Sequence, residues 1–263
     1  RKLKYNLEKV QLENYKGILT FGGAFSNHIA ATASAGQELN IPTVGIIRGE
    51  ELVTQIESNP TLRYSKSCGM HLEFVSRSSY NKKTDPAYLL QLLETFKDYY
   101  ILPEGGTNAL AIKGCEEILT VKDQSFDIIC CAVGTGGTIA GVINGSLLTQ
   151  KIIGFPALKG EFLKEDICKF ATQSNWELWG DYHFGGYAKV DSKLIKFMND
   201  FKLIYNIPLD PVYTAKMMYG IFEGIRSGEI PQTAKVLAIH TGGLQGIEGM
   251  NLRLKEKKLE EII

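Results

Sequence analysis

The sequence predicts an α/β fold built on parallel β-sheets with helices on both faces. Short runs rich in β-branched and aromatic residues alternate with longer amphipathic runs along nearly the whole chain. Several short runs end in glycine pairs, as in PEGG, GTGG and HTGG. With 263 residues, the chain can bury one large core or two modest ones. Such alternation is typical of βαβ units, whose ligands bind where strands end and helices begin.

The individual elements follow from this alternation. The runs predicted as strands are Gly17–Phe21, Thr43–Ile47, Leu72–Val75, Tyr99–Leu102, Asp127–Val133, Ile152–Phe155 and Lys235–His240. The runs predicted as helices, which have apolar residues at helical spacing, are Asn27–Leu39, Pro86–Phe96, Asn108–Leu119, Thr138–Leu148, Glu161–Thr172, Lys193–Tyr205 and Pro211–Ser227. In the last helix, Asp210 is the predicted N-cap, which places Tyr213 and Thr214 in the first turn.

The composition excludes several classes of partner. Lysine plus arginine equals aspartate plus glutamate at 29 each, so we expect neither nucleic acid nor a membrane as a partner. The chain has no apolar stretch long enough to span a bilayer, and RKLKYNL lacks the apolar core of a signal peptide. The five cysteines form no CxxC pair, and two of them lie in the apolar run DIICCAV. We therefore expect reduced thiols and a cytoplasmic protein.

A glycine-rich loop follows the run IICCAV. The backbone N–H groups of Thr135, Gly136, Gly137 and Thr138 could point into a shared hollow, with the dipole of the next helix behind them. The loop lacks both the lysine of a Walker A motif and the third glycine of a dinucleotide fingerprint. We interpret it as a cup for one phosphate monoester. A tight turn without a ligand and a mononucleotide site are the alternatives.

Three further stretches place polar residues beside glycines. TFGGAFSNHIAATASAG brings Ser26, Asn27 and His28 to the start of a helix, while FGGY contains Tyr187 and HTGG contains His240. Tyrosines near helix starts more often pack in a core, and a lone histidine at a strand end more often makes a structural hydrogen bond. The four histidines show no metal-ligand spacing, so we expect no metal site.

Taken in order, six motifs carry a family resemblance. GGAFSNH, PEGGTNALAIKG, AVGTGGTIAG, GGY, LDPVYTAK and IHTGG resemble the pyridoxal phosphate enzymes related to 1-aminocyclopropane-1-carboxylate deaminase and D-cysteine desulfhydrase. The resemblance implies a fold of the tryptophan synthase β type, with two α/β domains, pyridoxal 5'-phosphate in the cleft between them, and a homodimer. We therefore expect a smaller domain over residues 1–103, a larger cofactor-binding domain over residues 104–263, and a small amino acid as substrate.

The resemblance also implies roles for individual residues. The cofactor-binding residues would be Asn27, Thr135, Gly136, Gly137, Thr138, Thr214 and Thr241, of which Asn27 would contact the ring oxygen. Ser26, helped by Asn27 and His28, would bind the substrate carboxylate, because glycines allow close approach and a helix N-terminus attracts anions. Ser26 would also act as the nucleophile or proton handler. Tyr187 and Tyr213 would polarise or protonate the reacting carbon or sulfur.

Two places depart from the family pattern. Phe25 stands where relatives often carry glutamine. The family lysine that binds the cofactor covalently lies in GGNKxRKLxY, and this chain begins at RKLKY, so that lysine would precede Arg1 by two positions. Lys2 corresponds to the second lysine of the motif. We expect that a segment of about fifty residues precedes Arg1 in the full protein; the alternative is a protein that uses Lys2 or has lost catalysis.

Two positions bear on the reaction. Cyclopropane deaminases of this family have glutamate directly after the DPVY tyrosine and leucine before the last GG, whereas this chain has Thr214 and Thr241. A neutral hydroxyl beside the pyridine nitrogen makes a weaker electron sink and suits β-elimination, where a thiol leaves readily. We therefore predict elimination on D-cysteine or a similar amino acid. Cyclopropane deamination and a non-catalytic pyridoxal phosphate-binding protein remain as alternatives.

Overall fold

The computed structural model describes residues 1–160 and 162–263. These residues form two compact units: a smaller unit, Leu3–Leu110, and a larger unit that combines Arg1–Lys2 with Ala111–Ile263. Within the described ranges, each unit contains a four-stranded sheet whose paired strands are all parallel. The predicted α/β class with parallel sheets is therefore confirmed.

The elements have the following bounds. The strands are β1 (Gly17–Gly22), β2 (Thr43–Arg48), β3 (His71–Val75), β4 (Tyr99–Leu102), β5 (Ile128–Val133), β6 (Lys151–Pro156), β7 (Trp176–Leu178) and β8 (Val236–Ile239). The α-helices are α1 (Lys4–Leu12), α2 (Asn27–Leu39), α3 (Pro60–Ser67), α4 (Arg77–Tyr80), α5 (Pro86–Thr95), α6 (Ala109–Glu116), α7 (Gly137–Gly145), α8 (Phe162–Cys168), α9 (Ser192–Tyr205), α10 (Thr214–Ser227) and α11 (Gly246–Glu256). Among the described residues, no helix is both long and apolar enough to cross a membrane.

In the smaller unit, the strand order is β3-β2-β1-β4, and all six residues of β1 are buried. The neighbouring residues Ile46 and Ile47 of β2 belong to different hydrophobic clusters, because successive side chains of a strand point to opposite faces. Both faces of this sheet are therefore covered, as in other parallel sheets. The turn that follows β1 is anchored at one end by a fully buried strand.

In the larger unit, the strand order is β7-β6-β5-β8, and β5 is buried throughout. Its alternate residues belong to two clusters: Ile129, Cys131 and Val133 in one, and Ile128, Cys130 and Ala132 in the other. Burial raises the pKa of the Cys130 and Cys131 thiols to about 12, so both stay protonated at neutral pH. The glycine loop after β5 thus begins at the most enclosed strand of its sheet.

The start of α10 differs from the prediction. The helix begins at Thr214 with Tyr213 as its N-cap, and not at Pro211 after an Asp210 cap. The Asp210 carboxylate still makes the bonds of an N-cap, since its Oδ1 accepts from the N–H groups of Val212 and Tyr213. The regular helix starts later because the Ala215 N–H bonds to the Asp210 carbonyl, five residues back, so that the first turn is wider than an α-helical turn.

Other element bounds also differ from the predictions. The helix predicted over Glu161–Thr172 ends at Cys168, and its predicted first residue, Glu161, lies outside the described residues. Strand β7 and helices α1, α3, α4 and α11 were not predicted from the sequence. Strand β4 and helix α2, in contrast, have the predicted bounds.

Candidate active site

The loop between β5 and α7 has the geometry of an anion cup. Gly136, the N-cap of α7, has φ 78°, and a Cβ added there would lie 2.9 Å from Cγ1 of Ile167. Only glycine combines this left-handed backbone with so close an approach. The N–H groups of a first helical turn have no intrahelical acceptor and carry the positive end of the helix dipole. The predicted phosphate residues, 135–138, span this turn.

A lysine that the sequence analysis did not assign to the phosphate lies beside this loop. The Lys2 ammonium donates a hydrogen bond to Oγ1 of Thr135, with 3.5 Å between the two atoms. Burial lowers the pKa of Lys2, because the charged form loses hydration, while nearby Cys115 and Cys131 act in the opposite direction. A phosphate dianion would add a favourable charge interaction for this ammonium. Lys2 is part of RKLKY, but the family motif relates this position only to the covalent cofactor lysine.

The two predicted tyrosines lie against each other near the same loop. The ring centroids of Tyr187 and Tyr213 are 6.1 Å apart, and their planes meet at 67°. A Cβ added at Gly134 would come within 3.1 Å of Cε1 of Tyr213 and 3.3 Å of its hydroxyl oxygen. Because glycine occupies position 134, the Tyr213 phenol can lie directly over the first residue of the phosphate loop.

The two predicted threonines have different surroundings. Thr214 is fully buried, and its Oγ1 accepts a hydrogen bond from the Asp210 N–H at 2.7 Å. Thr241 is exposed in the loop after β8. There, Nδ1 of His240 accepts from the Gly242 N–H at 3.1 Å, so its Nε2 carries the proton and donates to the Pro208 carbonyl at 3.0 Å. His240 has the structural role that the sequence analysis gave as its alternative.

In the smaller unit, Ser26 is the N-cap of α2, and its Oγ accepts a hydrogen bond from the Ile29 N–H at 3.3 Å. Ser26, Asn27 and His28 are all partly exposed at this helix N-terminus, and Phe25 before them is 40% exposed. The structure therefore brings the three predicted substrate-binding residues together in one turn at the end of β1.

His28 is held by the sheet of the smaller unit. Its Nε2 lies 2.7 Å from Oγ1 of Thr20, and that hydroxyl donates its single proton to the Leu102 carbonyl at 2.9 Å. Nε2 of His28 must therefore carry a proton and donate to Thr20. Substrate contact by His28 would have to use the other ring nitrogen.

Comparison with known proteins identifies the family. Residues 1–242 match the family model described as pyridoxal-phosphate dependent enzyme. The chain belongs to this family. The members of the pyridoxal-phosphate dependent enzyme family depend on pyridoxal 5'-phosphate, which agrees with the predicted cofactor.

Three similar proteins illustrate the range within this family. A Thermotoga maritima protein with the provisional name 1-aminocyclopropane-1-carboxylate deaminase is 32% identical, and the alignment covers 97% of this chain and 86% of that protein. The D-cysteine desulfhydrase of Klebsiella pneumoniae is 28% identical over 92% of this chain and 81% of its own length. The crystal structure of an ACC deaminase homologue has a TM-score of 0.82 and 28% identity, with 97% of this chain and 82% of that one covered. The fold is thus of the tryptophan synthase β type.

The larger unit fits the family cofactor. The turn at Gly136 has the helix N-terminus that a phosphate requires, and the Lys2 ammonium lies beside it. Tyr213 lies over Gly134 at the entrance of the same loop. A helix N-terminus, a partly buried lysine ammonium and a phenol therefore lie close together at this loop.

Proposed function

We propose that the protein catalyses a pyridoxal phosphate-dependent α,β-elimination on D-cysteine or a similar β-substituted amino acid. D-Cysteine and one water would give pyruvate, ammonia and hydrogen sulfide. The observation that carries the proposal is the pair of tyrosines, Tyr187 and Tyr213, packed together at the edge of the phosphate loop. The D-cysteine desulfhydrase among the similar proteins supports the choice of substrate.

Cofactor binding is assigned to the larger unit. The backbone N–H groups at Thr135, Gly136, Gly137 and Thr138 would hold the phosphate, and the Lys2 ammonium would neutralise part of its charge. When bound, pyridoxal phosphate withdraws electrons from the substrate and makes its Cα–H bond more acidic. Asn27 would donate to the ring oxygen, and Thr241 would lie on the pyridine side with Thr214.

The tyrosines would supply protons during bond breaking. Ser26, to which the family resemblance gives the role of proton handler, would accept the Cα proton. The C–S bond would then break, and its electron pair would go to sulfur. The hydroxyl of Tyr187 or Tyr213 would donate a proton to that sulfur, so that a neutral thiol departs. Ser26 and Asn27 would hold the substrate carboxylate at the N-terminus of α2, with His28 beside them.

Cyclopropane deamination is the second candidate. The Thermotoga maritima protein and the ACC deaminase homologue support it by similarity. Against it stands Thr214, a neutral, fully buried residue at the start of α10, where cyclopropane deaminases carry glutamate. A carboxylate would keep the pyridine nitrogen protonated, and a hydroxyl does so less effectively.

The decisive assay uses the full-length protein loaded with pyridoxal phosphate. The release of the 2-oxo acid would be measured for four substrates. D-Cysteine, L-cysteine and D-serine would give pyruvate, and 1-aminocyclopropane-1-carboxylate would give 2-oxobutanoate. We expect the highest kcat/KM for D-cysteine, and we expect Tyr213→Phe to lower kcat by about a hundredfold or more. Preference for the cyclopropane substrate would favour the second candidate. A protein that binds the cofactor but acts on none of the four would be the non-catalytic alternative.

The assembly and location of the protein are also part of the proposal. We infer a cytoplasmic protein, since Cys68, Cys115, Cys130 and Cys131 are buried and free, as is usual in a reducing compartment. We also infer a homodimer, as in the family that the sequence resembles. Apolar side chains such as Leu203 and Ile204 at the end of α9 are about three-quarters exposed, at 73% and 70%. Sedimentation equilibrium of the full-length protein would reveal a monomer if this inference is wrong.

A further inference from the structure

The loop that carries Tyr187 has an unusual backbone. Phe184, Gly185, Gly186 and Ala188 all have positive φ, at 53°, 90°, 116° and 53°. For phenylalanine and alanine this left-handed conformation is unfavourable, so contacts outside the loop must stabilise it. Tyr187 stands among these residues and is 40% exposed, which means that core packing alone does not fix its position.

One buried lysine supplies such a contact. The Lys216 side chain is 1% exposed, and its ammonium donates hydrogen bonds to the carbonyls of His183 and Gly186, both at 2.8 Å. Those two carbonyls lie at the two ends of the turn that leads into Tyr187. They also accept hydrogen bonds within the loop, from the Gly186 N–H at 3.0 Å and the Lys189 N–H at 3.2 Å.

The same helix carries the other tyrosine. Tyr213 is the N-cap of α10, and Lys216 lies in the first turn of that helix. One turn further, the Tyr219 ring packs edge-on against Phe184, with 5.0 Å between centroids. The first two turns of α10 thus hold the loop at its carbonyls and at Phe184, and also fix the partner ring of Tyr187.

We infer that Lys216 is a positioning residue that fixes Tyr187 against Tyr213 by clamping the His183 and Gly186 carbonyls. A buried ammonium is costly unless it is fully hydrogen-bonded, and these two carbonyls offset that cost. The catalytic consequence rests on the proposed role of Tyr187 as a proton donor, whereas the clamp itself does not.

The first test measures the clamp without any reaction. Lys216→Met has a similar length but no donor, and hydrogen exchange would be followed in peptides that cover residues 183–189 of the cofactor-loaded, full-length protein. We expect the amides of Gly186 and Lys189 to exchange about tenfold faster or more, because the loop loses its attachment to α10 and opens more often. The control is Lys196→Met on the exposed face of α9, whose ammonium lies 3.0 Å from Asp200. This control variant should leave the exchange rates of the Gly186 and Lys189 amides unchanged.

The second test connects the clamp to turnover. We expect Lys216→Met to lower kcat on D-cysteine about tenfold with Tyr187 present, and less than about twofold in the Tyr187→Phe background. Equal effects in both backgrounds would show that Lys216 acts on something other than Tyr187 and would overturn the catalytic part of the inference. If Lys216→Met does not fold, the same two measurements on Lys216→Gln, which keeps N–H donors, decide the question with smaller expected changes.

The outcomes separate the inference from the proposed function. Unchanged exchange at residues 183–189 would overturn the clamp whatever the activity. Faster exchange together with full activity of Tyr187→Phe would support the clamp and refute the proton-donor role of Tyr187.

Discussion

Lys216 should make the free energy of unfolding depend on pH above neutrality. Burial lowers the pKa of its ammonium from 10.5 to about 8, and the Asp210 carboxylate opposes part of this effect. In the unfolded chain the pKa returns to its ordinary value. The difference corresponds to ~3 kcal/mol of folding free energy, since one pKa unit is worth about 1.4 kcal/mol.

The sign follows from proton binding. Below pH 8 the lysine is protonated in both states, so the folded protein bears the net cost of burying a charge. Between pH 8 and 10.5 the folded state loses its proton first, and the unfolded state binds more protons. The Lys216 contribution to the free energy of unfolding therefore rises with pH in this window, at most by about 1.4 kcal/mol per pH unit.

The assay is urea denaturation of the wild type and of Lys216→Met at several pH values from 7.5 to 10. Other groups titrate in this range, but they are shared by both proteins and cancel in the difference. We expect the stability of the wild type relative to the variant to rise by ~2 kcal/mol across this range. A difference that stays constant with pH would refute the claim that burial lowers the pKa of the Lys216 ammonium.

Four further outcomes are expected. Gly136→Ala should destabilise the protein by ~1–3 kcal/mol in urea denaturation and weaken cofactor binding, because the added Cβ contacts Ile167 and the left-handed backbone is strained for alanine. Gly228→Ala is the control: its φ is 83° and the space around its Cβ is open, so it should show the backbone strain alone. Lys2→Met should weaken cofactor affinity about tenfold or more in an absorbance titration, whereas unchanged affinity would remove Lys2 from the phosphate site. Ser26→Ala should lower turnover but leave the cofactor absorbance spectrum nearly intact, and loss of cofactor would show that the serine is misplaced. Thr214→Glu should shift the ratio of kcat/KM values from D-cysteine toward the cyclopropane substrate, and an unchanged ratio would contradict the role given to the ring nitrogen.

Elements were predicted correctly where the local sequence features, such as capping residues and apolar runs, match the burial of the element in the fold. Helix α2 has Ser26 as an N-cap and ends at Asn40 in the left-handed conformation, so its predicted bounds were correct. Strand β5 is apolar at every position and was predicted to within one residue. Strand β7 has only three residues, all partly exposed, at the edge of its sheet, and such a segment is too short to show a period.

The loops of the candidate site could be predicted from the sequence, but the contacts between residues far apart in the chain could not. The phosphate loop and the turn at Ser26 are continuous in sequence, so glycines and helix starts reveal them. The contact between Lys2 and Thr135 joins residues 133 positions apart, and no local pattern reports it. The bonds from Lys216 to His183 and Gly186 span about thirty positions and run to carbonyls, which every residue possesses. Side-chain chemistry alone could not have identified those acceptors.

The two adjacent thiols of β5 can be used to follow opening of the sheet in the larger unit. Cys130 and Cys131 are fully buried, and burial holds the pKa of each at about 12, so neither can be alkylated while the strand keeps its neighbours. The strand that carries them leads into the phosphate loop two residues later. The rate at which an alkylating reagent modifies this pair therefore measures how often the centre of the sheet opens. If bound pyridoxal phosphate slows this alkylation, the ratio of the two rates measures how much cofactor binding reduces the opening of the sheet.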